Sequence, residues 1–76
     1  MSPSQCRAAR ALLRLEQAEL AKTAQIAVST LIDFEAERRT PRKATVAAIR
    51  AALEGAGITF IDSNGGGPGV RLRSAD

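Results

Sequence analysis

The sequence contains no histidine, no tryptophan and no tyrosine, and it has a single cysteine and two phenylalanines. Without histidine the mixed cysteine–histidine zinc sites are excluded, and a lone Cys6 can close no internal disulfide. No nucleophile–base pattern and no cluster of metal ligands stands out. An acid–base site would have to be assembled from carboxylates and arginines, so the chain reads as a non-enzyme that needs no cofactor or metal. Phe34 and Phe60 are the only aromatics, which argues against modules that stack single-stranded or RNA bases on exposed rings. No apolar run is long enough to span a bilayer. Met1–Gln5 lacks the basic start and apolar middle of a secretion signal. Together with the unpaired Cys6, expected to be a small buried apolar side chain, this points to the reducing cytoplasm.

What is present is one domain's worth of chain, 76 residues. A domain of this size buries little core, and without disulfide or metal it must draw stability from helix packing and self-association. Eleven basic against eight acidic residues give a net charge of +3, which permits nucleic acid as a partner without demanding it.

Ser2-Pro3-Ser4-Gln5 predicts a helix start. Ser2 caps, Pro3 occupies the favoured first position and Gln5 completes a capping box. Cys6, Ala9 and Leu13 then form one buried stripe, with Arg7 and Arg14 outside it. A second helix of about two turns is expected from Glu16 or Gln17, with Leu20, Ala21 and Ala24 inward, followed by a turn at Gln25-Ile26. A third should run from Ala27 to Ala36, with Leu31 and Phe34 inward and Val28, Ser29, Ile32 and Asp33 on the other side. After a polar, basic connection, Thr40 and Pro41 read as the cap and first turn of a fourth helix. Its stripe is Val46, Ile49 and Leu53, and Gly55 and Gly57 end it. Ile58–Asp62 and Val70–Arg73, separated by a Gly-rich stretch, read as a β-hairpin.

Two short helices joined by a tight turn, the second flanked by cations, suit docking in the major groove. The segments Gln17-Ala18-Glu19-Leu20-Ala21 and Ser29-Thr30-Leu31-Ile32-Asp33-Phe34-Glu35, with Arg38-Arg39-Thr40-Pro41 downstream, resemble the Cro/phage-repressor helix-turn-helix family over roughly Cys6 to Leu53. The resemblance implies a mainly α fold: a four-helix Cro/repressor-like helix-turn-helix domain over 1–57. A C-terminal β-hairpin over 58–76 follows as a candidate dimerisation element, offering Ile58, Phe60, Val70 and Leu72.

By the same resemblance, Ala27, Val28, Ser29, Ile32 and Asp33 match positions that face the base edges. Gln17 matches the glutamine that contacts phosphate or an outer base. Thr30 is within reach of a phosphate, Arg38 and Arg39 match the phosphate-contacting loop, and Arg42 and Lys43 extend that run. Arg10 and Glu35 match a structural salt bridge between the first and third helices. The chain departs from the family at Gln25 and Glu37, which stand where glycines are usual; a left-handed backbone there costs a non-glycine residue roughly 1 kcal/mol. Glu16 and Ala27 replace the usual hydroxyl caps, Asp33 and Glu37 bring negative charge near the DNA, and the hairpin stands where the family has a fifth helix.

The function this implies is a sequence-specific regulator that binds double-stranded DNA as a homodimer on a palindromic operator, as a repressor or autoregulator. Repression requires only occupancy of a promoter, whereas activation needs an RNA polymerase contact that no residue here marks out. The alternative is an interaction module that keeps the fold, such as an antitoxin binding a toxin through the apolar Val28/Ile32 face beside Asp33 and Glu37.

Overall fold

In a computed structural model, which describes residues 1–73, the chain folds as α1 (Pro3–Leu13), α2 (Gln17–Ala24), α3 (Val28–Glu35), α4 (Lys43–Gly55), β1 (Ile58–Ile61) and β2 (Gly69–Leu72). Residues 74–76, the end of the expected tail segment, lie outside the described residues. The mainly α architecture with a terminal hairpin is the one the sequence implied.

α1 opens as its capping box requires. Ser2 Oγ accepts from the Gln5 N–H at 3.2 Å, and Gln5 Oε1 accepts from the Ser2 N–H at 2.9 Å. Cys6 and Ala9 are buried, while Leu13 is only partly so. They join Leu20, Ala21, Ala24, Leu31, Phe34, Ile49 and Leu53 in a single core, with Val46 at its margin.

α1, α2 and α3 end in the same way. The residue after each helix, or one further on, adopts a left-handed backbone: Arg14 (φ 54°), Gln25 (φ 59°) and Glu37 (φ 60°). The next N–H then closes onto the carbonyl five residues back, Leu15 to Arg10 at 3.0 Å, Ile26 to Ala21 at 3.0 Å and Arg38 to Asp33 at 2.9 Å. This closure satisfies helix-terminal carbonyls and turns the chain sharply. Gln25 and Glu37 thus keep the left-handed geometry of the glycines they replace, and Arg14 adds a third such site.

α3 is flanked by Ala27 and Ala36 as its caps. The start of α4 differs from expectation: its N-cap is Arg42 and not Thr40, and Pro41 lies before the helix. Thr40 and Pro41 lie outside the helix and Arg42 is extended; an extended residue spans ~3.3 Å against ~1.5 Å in a helix, so the later start lengthens the crossing from α3 to α4.

The hairpin pairs antiparallel, Ile58 opposite Leu72 and Phe60 opposite Val70. It is part of the one core. Ile58 and Phe60 are buried against the helices, β1 packs on α4, β2 packs on α1, and the Arg50 guanidinium lies 5.0 Å over the Phe60 ring. Gln5 Nε2 donates to the carbonyls of Ile61 (3.3 Å) and Gly69 (3.0 Å), fastening the turn end of the hairpin to α1. Gln5 thereby serves the cap and the hairpin together.

Candidate nucleic-acid interface

The interface depends on a buried polar cluster that fixes α3. Glu35, on the inner side of α3, is only 3% exposed. Its carboxylate accepts from Arg10 through a bidentate pair, Nε to Oε2 at 2.7 Å and Nη2 to Oε1 at 2.8 Å. Gln17 Nε2 donates to Oε1 at 2.8 Å and the Cys6 thiol donates to Oε2 at 3.1 Å. Burial alone would raise the Glu35 carboxyl, but the bonds from Arg10, Cys6 and Gln17 outweigh it and hold it below the ordinary glutamate value. The same bond raises Arg10 further above its ordinary value. Burial, then the bond to Glu35 and its charge, push the Cys6 thiol well up, so it remains a protonated donor. Arg10 Nη1 also donates to the Leu15 carbonyl at 3.1 Å. One guanidinium therefore links the end of α1 to α3, and Gln17 adds the start of α2. Arg7 donates to the Glu35 backbone carbonyl, a tie at the end of α3 that the sequence did not single out.

So anchored, α3 turns its other side to solvent. Ala27, Val28, Ser29 and Ile32 are exposed and Thr30 is half-buried. Val28 (42%) and Ile32 (37%), spaced i, i+4, leave an apolar pair uncovered on this side of the helix. Asp33 is on the same side, with its side chain 32% exposed and ion-paired to Arg38 at 3.0 Å and Arg39 at 3.9 Å. Arg42 and Lys43 are exposed and make no ion pair among the described residues. A cleft of about 620 Å³ separates α3 from the start of α4, lined by Ser29, Thr30 and Asp33 on one side and Arg39, Thr40, Arg42 and Thr45 on the other. The first turn of α4 meets this cleft without a side-chain cap, so its free N–H groups favour an anion there.

The structure therefore brings Ser29, Thr30, Asp33, Arg39 and Arg42 to one cleft, with Arg38 paired to Asp33, while Ala27, Val28 and Ile32 are exposed at the start and along the outer side of α3 and Lys43 is exposed at the start of α4. Gln17 is turned into the Glu35 cluster. Of the four residues offered for self-association, Ile58 and Phe60 are spent in the chain's own core, because the two-stranded hairpin needs the helices to cover its apolar face. Val70 packs at the edge of that core and Leu72 stays 37% exposed. No described helix is long and apolar enough to cross a membrane, and no group of potential metal ligands occurs among the described residues.

A family model described as helix-turn-helix matches residues 7–57, from α1 to the residue before β1. No curated protein is significantly similar to the chain.

Proposed function

Because the chain belongs to the Cro/C1-type helix-turn-helix family of DNA-binding regulators, we propose that it is a sequence-specific repressor or autoregulator acting in the cytoplasm on a palindromic operator. The observation that carries the proposal is the outer side of α3. Val28 and Ile32, a pair of exposed apolar side chains, stand beside Ser29 on a helix held from behind by the Glu35 cluster. Thymine methyl groups in the major groove complement such an apolar pair. Arg38, Arg39, Arg42 and Lys43 with the open end of α4 supply the grip on phosphates that sets orientation and affinity.

The proposed dimer joins β2 to β2 of a second copy. The bond from the Arg73 N–H to the Gly57 carbonyl (2.8 Å) sets the ladder, so that Val70 and Leu72 fall in its non-bonded pairs with β1. Their backbone groups then face the open edge of β2, beside the exposed Leu72. Such an edge invites pairing with another strand. To read a palindrome, the two-fold axis of such a dimer must set two copies of α3 about 34 Å apart, one helical turn of duplex.

The test is selection of duplexes from a random pool followed by footprinting. Two protected half-sites one turn apart are expected; a pool that stays random after repeated selection refutes sequence reading. The same exposed Val28/Ile32 pair also suits the apolar surface of a partner protein such as a toxin. That second reading gains if the chain binds such a partner tightly and duplex DNA not at all.

A further inference from the structure

Asp33 is the one acidic side chain on the outer side of α3, at i+4 from Ser29 and therefore on the same face. The left-handed turn at Glu37 brings the chain back over it. Arg38 Nε and Nη2 reach Asp33 Oδ1 at 3.1 and 3.0 Å, and Arg39 Nε lies 3.9 Å from Oδ2. Both carboxylate oxygens thus face cations that would otherwise be free for phosphates. The two arginines are largely exposed, so their pairs with Asp33 are weakened by solvent, and a phosphate can displace the carboxylate wherever Asp33 finds another donor. Displacement has a consequence for Asp33. Pressed into the groove without its arginines, the carboxylate needs another donor, and among base edges the cytosine amino group is the partner suited to it.

We propose that Asp33 is a specificity-determining latch: it keeps Arg38 and Arg39 from the phosphates of arbitrary sequence and releases them where a cytosine amino group takes their place. The proposal rests on the DNA-binding reading above. It turns a residue that is electrostatically unfavourable near DNA into a device that lowers non-specific affinity more than specific affinity.

The test compares the parent, D33N, R38A/R39A and D33N/R38A/R39A on a random-sequence duplex and on the selected duplex, over a range of salt. Asparagine is isosteric and the arginines are exposed, so all four proteins should keep the parent's circular dichroism. On random duplex, D33N should bind about 3- to 10-fold tighter, with a salt slope steeper by roughly one unit for each arginine freed. In the R38A/R39A background the same substitution should leave the slope unchanged. The ratio of selected to random affinity should fall by about 10-fold in D33N. An unchanged slope in D33N, an equal steepening in both backgrounds, or an unchanged ratio overturns the latch while leaving DNA binding intact. Absence of salt-dependent binding by all four proteins overturns the DNA-binding reading itself.

Discussion

Consider removal of either partner in the Arg10–Glu35 pair. Breaking a buried ion pair by deleting one member costs roughly 3–5 kcal/mol, mostly the penalty of the charge left behind. The two ends are not equivalent here. Glu35 is 3% exposed, whereas the Arg10 side chain retains 21% and can turn toward water. E35Q keeps the shape of the side chain and strands the charge that has an exit, so it should cost about 2–3 kcal/mol, below the usual range. R10A strands the carboxylate that has none and should cost about 3–5 kcal/mol. For a domain of this length, total stability is roughly 4–11 kcal/mol, so either change removes a large share of it. In urea, with a slope near 1 kcal/mol per molar, the E35Q midpoint should fall by about 2–3 M, followed by circular dichroism at equilibrium. A shift below about 0.5 M, or R10A more stable than E35Q, would refute the claim that this cluster anchors α3.

The same carboxylate sets an acid limit. Its folded value lies below the ordinary one, so the unfolded chain takes up the proton first. The stability it confers is full above roughly pH 4.3 and is lost as pH falls through the folded value. Urea midpoints of the parent should therefore drop on acidification below that region, and E35Q should show a flatter profile; parallel profiles would dismiss the linkage. Q25G and E37G each relieve a left-handed backbone at φ 59° and φ 60°. Allowing for the extra chain entropy of glycine, each should gain up to about 0.5 kcal/mol and raise Tm by up to about 2–4 °C in calorimetry, whereas a fall in Tm would contradict the strain argument. L72K places a charge at the open edge of β2 without entering the core; it should convert a dimer to a folded monomer in sedimentation at tens of micromolar, and an unchanged dimer would remove β2 from the interface.

The helical part of the fold was legible because its signals are local. Ser2, Pro3 and Gln5 announce α1, and the stripes of α1 and α3 name Cys6, Ala9, Leu31 and Phe34, all buried. The hairpin was legible from β-branched residues flanking a Gly-rich turn. What local pattern could not show is where a side chain spends itself in three dimensions. Gln17 matches a phosphate-contacting position by resemblance, and its Nε2 also donates to Glu35, eighteen residues on, a bond that no local pattern marks. Ile58 and Phe60 read as apolar faces in search of a partner, and the partner is this chain's own α1–α4 core. Thr40-Pro41 carries a helix-start signal, and the crossing to α4 overrides it. Arg7, placed outside the buried stripe, is exposed as expected, and its guanidinium also donates to the Glu35 carbonyl at the end of α3, a tie that no sequence pattern marks. The outward side of α3 was legible from its periodicity, and Val28, Ser29 and Ile32 are exposed there; their role as base contacts comes from family resemblance alone.

The central claim is that α3 reads bases through Val28 and Ile32, and replacing thymine by deoxyuridine, one position at a time across the selected duplex, tests it most directly. That exchange removes a methyl group and nothing else. At one or more positions in each half-site, affinity should fall about 5-fold, close to 1 kcal/mol, and V28A or I32A should abolish the sensitivity at its own position while leaving the rest. Equal affinity for every substituted duplex would contradict methyl reading and leave the exposed pair on α3 to another partner.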